Sequence, residues 1–102
     1  MGSRFLNVVV KGNSMWPTLS DGITVRFEKI TKDEIKEGQI VLTNHPLKNN
    51  HLIIKRVQSI SNDMVFLVGD NPDPNESSDS HNFGTIPISE IIAISHMCQI
   101  NI

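Results

Sequence analysis

The fold is decided by residues 39–59, QIVLTNHPLKNNHLIIKRVQS. Residues 39–44 form a run rich in apolar and β-branched side chains, and residues 51–59 contain a second such run. Between them, residues 45–50 combine a proline with polar residues and paired asparagines, a composition typical of a turn. The pattern therefore predicts a β-hairpin of two strands.

The second strand of this hairpin carries a lysine on its apolar face. Side chains alternate between the two faces of a strand. The predicted faces are Ile53, Lys55 and Val57 on one side, and Leu52, Ile54 and Arg56 on the other. We expect Lys55 to be buried between Ile53 and Val57. Such burial favours the neutral amine, because it removes water from the charged form.

Strand patterns continue on both sides of the hairpin. Short strands are predicted at residues 5–11, 23–28 and 64–68, and a closing strand at residues 92–102 after a turn at Ser89-Glu90. Residues 30–38 suit a loop with a helical turn, and residues 72–82 form a long polar loop. No repeat or composition break divides the chain, so residues 1–102 are predicted to form a single domain. The expected fold is mainly β, a small antiparallel β domain with short hairpins and one long loop.

Composition disfavours several classes of function. Nine basic and eleven acidic residues give a formal charge of -2, which offers no electrostatic footprint for nucleic acid. No apolar run approaches the roughly 20 residues of a membrane-spanning helix, and the amino terminus lacks a secretory signal pattern. The single cysteine, Cys98, excludes an intrachain disulfide. A soluble cytoplasmic protein is expected, and peripheral membrane contact stays open.

A turn that contains a serine precedes the predicted strand at residues 23–28. Residues 12–19, GNSMWPTL, place Ser14 between a glycine and a proline. A serine hydroxyl is a weak nucleophile until a base takes its proton. Lys55 is the candidate base, although its pKa must fall from about 10.4 to near 7. Taken singly, Ser14 is typical of a turn without a catalytic role, and Lys55 is typical of a solvent-exposed strand position. Trp16 is expected either to line a cleft or to pack in the core.

Three blocks of sequence resemble the type I signal peptidase family of serine endopeptidases. They are SMWPTL at residues 14–19, KRV at residues 55–57, and GDN at residues 69–71 continuing to SSDS at residues 77–80. In this order they match the family's serine box, lysine box and Gly-Asp-Asn…Ser-x-Asp-Ser box. The resemblance implies the catalytic-core fold of that family and a serine endopeptidase with a Ser/Lys dyad.

The resemblance also implies a role for each matched residue. Ser14 becomes the nucleophile, Lys55 the general base and Ser77 the residue that orients the lysine amine. The backbone N–H of Ser14 becomes a donor to the oxyanion. The other supporting residues are Gly12, Asp70, Asn71, Asp79 and Ser80.

Three features depart from the family pattern. His81 stands where the family has an arginine, so the partner of Asp79 becomes weaker and dependent on pH. Gly12 stands where some relatives supply a serine hydroxyl to the oxyanion. The loop before Ser77 is longer than in the family, which leaves Ser78 as an alternative to Ser77.

The membrane anchor typical of the family is missing. In this, in its length and in its Gly-Asp-Asn-Pro segment, the chain resembles the nickel-type superoxide dismutase maturation proteases. The likeness implies removal of an amino-terminal propeptide or leader from a precursor, with nickel superoxide dismutase as the expected substrate. The precursor would bind as an extended peptide along a strand edge. No metal, cofactor or nucleic acid is expected.

The sequence leaves some other functions open and disfavours others. A general leader peptidase recruited to a membrane would use the same dyad, and a catalytically idle peptide-binding β module would have Ser77 displaced by the long loop. A self-cleaving repressor domain is disfavoured, because no DNA-binding segment or Ala-Gly cleavage site precedes Ser14. A histidine triad is disfavoured because no Gly-x-Ser-x-Gly elbow surrounds Ser14. His96 and Cys98 share a predicted strand face but fall short of a tetrahedral metal site.

Overall fold

The computed structural model describes residues 4–30 and 32–95, whose strands form one antiparallel sheet. The strands are β1 (Phe5–Val9), β2 (Thr24–Lys29), β3 (Ile40–Asn44), β4 (Leu52–Ser61), β5 (Met64–Val68), β6 (Ile86–Pro87) and β7 (Ile91–Ser95). One short α-helix, α1 (Ser80–Phe83), and the 3-10 helices Lys32–Glu34, Pro74–Glu76 and Ile88–Glu90 complete the described elements. The order across the sheet is β1-β2-β7-β3-β4-β5-β6. The predicted mainly β, antiparallel fold is confirmed.

The β3–β4 hairpin has the predicted strands and the predicted faces. Its register pairs Val41 with Lys55 and Asn44 with Leu52. Lys55 is buried together with its neighbours Ile53 and Val57 on the same face, whereas Leu52 is exposed. The hydrophobic run therefore places one lysine among core side chains.

Two strand ends lie two residues from their predicted positions. β4 extends to Ser61, because the turn residues Asn62 and Asp63 have φ values of 53° and 61°, as in the primed turns that continue the twist of a hairpin. The first strand ends at Val9 instead of residue 11. Gly12 has a φ of 86° and turns the chain out of the strand direction.

The long polar loop contains two helical turns that the sequence pattern did not predict. Asp73 caps the 3-10 helix at Pro74–Glu76 through a bond from the Asn75 N–H. Asp79 caps α1, with Asn82 completing a capping box. Aspartate side chains accept hydrogen bonds from the free N–H groups at the start of each turn. These local hydrogen bonds stabilise the turns. β6, only two residues long, was also not predicted.

The core lies on both faces of β3, whose residues Ile40 to Thr43 are all buried. One cluster contains Ile35, Val41, Val57, Val65, Leu67, Ile86, Ile88, Ile91 and Ile94. The other contains Val10, Met15, Leu19, Val25, Phe27, Ile40, Leu42 and Ala93. Because β4 pairs with this doubly buried strand, Lys55 lies beside the centre of the core.

The closing strand is confirmed over Ile91–Ser95, where β7 lies between β2 and β3. The rest of that prediction, including His96 and Cys98, lies outside the described residues. The predicted helical turn within residues 30–38 corresponds to the 3-10 helix Lys32–Glu34. Within the described ranges, no helix has the length and apolar character needed to cross a bilayer.

Candidate active site

The turn that carries Ser14 is held in the core by its apolar neighbours. Met15 and Leu19 are 1% and 0% exposed, and the Leu19 N–H donates to the Met15 carbonyl over 2.9 Å. Gly12 closes the start of the turn, where its N–H donates to Asp21 Oδ1 over 2.6 Å. Ser14 itself is half-buried. The buried neighbours thus fix the backbone at Ser14, while the Ser14 side chain keeps access to solvent.

Lys55 is a buried amine with one counter-charge nearby. The side chain is only 3% exposed, and this burial lowers the pKa of Lys55. The negative charge of Asp79 acts in the opposite direction, but burial is the larger cause. The neutral amine needed by a general base is therefore favoured at Lys55 relative to a solvated lysine.

The amine of Lys55 is connected to the loop after β5 by a chain of hydrogen bonds. Lys55 Nζ donates to Ser77 Oγ over 3.2 Å. Ser77 Oγ in turn donates to Asp79 Oδ2 over 3.4 Å. Because the one hydroxyl proton of Ser77 is directed to a carboxylate, its lone pairs face the lysine amine. The arrangement orients one N–H of Lys55 and leaves the rest of the amine for other partners.

Asp79 is held by donors on both of its oxygens. The Gly69 N–H donates to Oδ2 over 3.2 Å, while the His81 N–H and His81 Nδ1 lie 2.9 and 3.0 Å from Oδ1. Burial alone would raise the pKa of Asp79, but the bonds from His81 and Gly69 outweigh it and lower that pKa. His81 thus contacts the carboxylate from the position where an arginine was expected. Its ring is exposed, so this contact is open to solvent.

The serines on either side of Asp79 have different surroundings. Ser78 Oγ lies 3.4 Å from His45 Nε2, whereas the amine of Lys55 bonds to Ser77. Ser80 is buried, and its Oγ accepts from the Leu67 N–H over 2.8 Å. Ser77 is therefore the serine in contact with the lysine, and Ser80 fastens α1 to β5. The long loop leaves Ser77 beside Lys55, so the displacement required by an idle module is not seen.

A second polar cluster joins the serine turn to β4. Arg56 Nε and Nη2 donate to the two oxygens of Asp70 over 2.8 and 2.7 Å. Thr18 Oγ1 donates to Asp70 Oδ2 over 2.6 Å. Burial would raise the pKa of Asp70, but the hydrogen bonds from Arg56 and Thr18 and the guanidinium charge lower it. One carboxylate thus connects all three of the sequence blocks described above.

Asn71 joins the same elements through the backbone. Its N–H donates to the Ser14 carbonyl over 2.9 Å, and its side-chain amide donates to the Asn13 carbonyl over 2.7 Å. Gly69 lies at the same junction. A Cβ on Gly69 would lie 2.5 Å from Ser77 Oγ and 2.6 Å from the Ser14 carbonyl oxygen, so the contact requires glycine. The turn after β5 therefore positions the serine turn and Ser77 together.

Ser14 and Lys55 both line one cavity of about 430 Å³. Its walls also include residues 8–11, at the end of β1 and just after it, and residues 52–54 at the start of β4. This volume lies within the range of sites that bind small ligands. Trp16 is 49% exposed and is not among the lining residues, so neither of the two places expected for it is observed. Within the described residues, no cluster of metal-ligating side chains was found.

Sequence reasoning did not assign roles to four residues that the structure places at this site. Arg56 and Thr18 lie within the quoted blocks. For Arg56 the signal was the opposite charge of Asp70 in a third block, whereas no charge marked the hydroxyl of Thr18. Gly69 also lies in a quoted block, but only the three-dimensional contact shows why it has no side chain. His45 lies in the predicted turn, yet it is 5% exposed and lines the cavity.

One cavity of this mainly β domain thus has a half-buried serine and a buried lysine on its walls. Comparison with protein families gives a match to the model for Peptidase S24-like proteins over residues 2–88. The chain belongs to the Peptidase S24-like family, which indicates a serine peptidase-type hydrolase. A search of curated proteins gave no match. The finer resemblance to type I signal peptidases stays a prediction.

Proposed function

We propose that the protein is a serine endopeptidase in which Ser14 is the nucleophile and Lys55 is its general base. The observation that carries this proposal is the placement of a buried lysine on the same cavity as a half-buried serine. Burial of this lysine costs stability, because removal of its charge from water is only partly offset by Ser77 and Asp79, and a role in the cleft accounts for its position. The family membership supports the same reaction class.

In the proposed reaction, Ser14 Oγ attacks the scissile carbonyl while Lys55 Nζ takes the hydroxyl proton. Lys55 then delivers that proton to the leaving amine, and water hydrolyses the acyl-enzyme with Lys55 again as the base. Ser77 holds the lysine amine in one orientation during both transfers. The Ser14 N–H has no acceptor among the described residues, which leaves it to donate to the oxyanion. The Gly12 N–H is already bonded to Asp21, so it is not a second donor.

The cavity suits an extended peptide. β1 is the terminal strand of the described sheet, and Val8 and Val9 of this strand line the cavity. A peptide can therefore form main-chain bonds with the outer edge of β1 while its side chains enter the cleft. The substrate we propose is the amino-terminal propeptide of a precursor, with nickel superoxide dismutase suggested by the sequence resemblance.

The test is cleavage of a purified precursor of nickel superoxide dismutase, with the new amino terminus identified by mass spectrometry. The proposal expects one defined new terminus with the wild-type protein and no cleavage with Ser14→Ala or Lys55→Ala. Ser20→Ala, at an exposed serine in the same loop, serves as the matched control and should cleave at the wild-type rate. Cleavage by either dyad variant at the wild-type rate would reject the dyad.

The general leader peptidase differs from this proposal in its dependence on lipid. If the protein matures a precursor in solution, phospholipid vesicles should leave the cleavage rate within about twofold. A leader peptidase recruited to a membrane would cleave a vesicle-bound precursor faster than the same precursor in solution. If only a vesicle-bound leader peptide is cleaved, the propeptide assignment is wrong and the dyad still stands.

A further inference from the structure

The charged side chains that line the cavity are all basic. They are Lys11, Lys48 and the proposed base Lys55, and no aspartate or glutamate lies among the lining residues. The chain as a whole has the opposite balance, with eleven acidic and nine basic residues and a formal charge of -2. The positive charge on the cavity walls is therefore a local feature, not a reflection of the composition.

Lys11 and Lys48 lie on two different elements of the cavity wall. Lys11 follows β1, and Lys48 belongs to the turn between β3 and β4. Both side chains are exposed. In the part of the chain that the structure describes, neither forms an ion pair with a carboxylate. Both ammonium groups thus remain available to a bound molecule.

The histidine beside them, His45, adds no charge to the cavity wall. The Leu47 N–H donates to His45 Nδ1 over 3.1 Å, so this nitrogen is an acceptor and the ring is neutral. The pKa of His45 is lowered first by burial and then by the charges of Lys48, His51 and Lys55. The positive charge of this part of the wall therefore comes from lysine and not from His45.

We propose that the protein prefers peptides with an acidic side chain, which Lys11 and Lys48 bind within the cleft. This inference rests on the proposed function, because it takes the cavity at Ser14 and Lys55 as the peptide site. A carboxylate near Lys55 would raise the pKa of the base and impede its action. The acidic side chain is therefore placed toward Lys11 and Lys48, away from the scissile bond.

The preference is tested by binding, independently of cleavage. The Ser14→Ala protein is titrated with two fluorescein-labelled pools of randomised ten-residue peptides, identical except that one contains Glu wherever the other contains Gln. At low salt the Glu pool should bind about fivefold more tightly, since each exposed ion pair contributes a small factor. About 0.5 M salt should remove most of the difference, because it screens exposed charges.

The variants assign the preference to the two lysines. A Lys11→Gln/Lys48→Gln double variant, made in the Ser14→Ala background, should bind both pools equally. Lys36→Gln, at an exposed lysine away from the cavity, should keep the difference and is the matched control. If the double variant does not fold, the single Lys11→Gln and Lys48→Gln variants should each lose part of the preference for the Glu pool. Both lysine side chains are exposed, so the variants are expected to fold, and circular dichroism checks that they do.

Three results of the peptide titrations would overturn the inference: equal binding of the two pools, binding of neither pool, or a difference that persists in the double variant. Tighter binding of a ten-nucleotide single-stranded DNA than of the Glu pool would assign the lysines to phosphate, and would also overturn it. Failure of the peptidase proposal gives a different pattern. In that case the Glu pool is preferred, but no precursor is cleaved by the wild-type protein.

Discussion

Lys55 Nζ donates a hydrogen bond to Ser77 Oγ over 3.2 Å, which joins the buried face of β4 to the loop after β5. Ser77 also donates to Asp79, so the serine connects the amine to its counter-charge without a direct lysine-carboxylate contact. The separation weakens the effect of Asp79 on the amine. Burial therefore remains the main influence on the pKa of Lys55.

Replacement of Ser77 should impair the orientation of the base more than the binding of substrate. We expect Ser77→Ala to lower kcat by about 10- to 100-fold with little change in KM, in the range of other positioned proton-transfer groups. Ser77→Thr keeps a hydroxyl and should recover part of the rate. Steady-state cleavage kinetics provide the measurement, with exposed Ser89→Ala as the control. An equal loss in Ser77→Ala and Ser77→Thr would argue for packing instead of orientation.

A side chain at Gly69 should disrupt both halves of the site. The Cβ of Gly69→Ala would lie 2.5 Å from Ser77 Oγ and 2.6 Å from the Ser14 carbonyl oxygen, so the two segments must separate. Activity should fall by more than about 100-fold, and the free energy of unfolding by about 1–3 kcal/mol. Cleavage assays and urea denaturation measure the two effects.

Gly22→Ala is the matched control for this variant. Gly22 has a φ of 92° and no atoms near the position of a Cβ, so alanine there causes backbone strain without a clash. It should reduce stability by about 1 kcal/mol and leave kcat unchanged. Similar losses of activity in the two variants would show that strain, not contact with Ser77, is the cause.

Asp70 should contribute stability that depends on pH. Hydrogen bonds from Arg56 and Thr18 hold the pKa of Asp70 below its usual value, so the carboxylate stabilises the fold above the unfolded pKa near 4. As the pH falls through the lower folded pKa, this contribution is lost. Asp70→Asn should therefore lower the free energy of unfolding by about 1–3 kcal/mol at pH 7. The difference from wild type should shrink below about pH 4, as measured by thermal unfolding across pH; a constant difference would contradict the assignment.

The buried Lys55 should reduce stability at neutral pH. Because its folded pKa is below that of the unfolded chain, the unfolded state binds more protons, and stability rises with pH from the folded pKa toward about 10.4. Lys55→Met removes this cost and should be about 1 kcal/mol more stable than wild type near pH 7. The gain should decrease as the pH approaches 10, which thermal unfolding at several pH values would detect. Lower stability of Lys55→Met at pH 7 would show that the lysine is a structural ion-pair residue.

Much of the fold followed from local pattern. Alternation in the second strand of the hairpin predicted the burial of Lys55 between Ile53 and Val57. Successive side chains point to opposite faces of a strand, so Lys55 lies on the same face as these two core residues. The position of β7 between β2 and β3 was not predictable, since pairing of distant strands depends on contacts far apart in sequence. The helical turns near Asp73 and Asp79 were missed because capping bonds leave no hydrophobic period.

The residues with a proposed chemical role could be predicted from the sequence. The residues that only position other side chains were harder to predict. Ser14 and Lys55 were selected as a nucleophile and its base from residue type and resemblance, and the structure places both on one cavity. The bonds of Asp70 to Arg56 and Thr18 required three-dimensional proximity, as did the steric demand at Gly69. Residue type alone does not show which charges meet.

The most direct measurement of the central claim is the site and pH dependence of acylation. The wild-type protein is incubated with an alanine-rich peptide p-nitrophenyl ester, quenched in acid, and mapped by mass spectrometry to locate the acyl group. The dyad predicts acylation at Ser14, at a rate that rises with pH through an ionisation below the ordinary lysine value of about 10.4, and a loss of at least about 100-fold in Lys55→Ala. Acylation at another residue, or an unchanged Ser14 rate in Lys55→Ala, would contradict it.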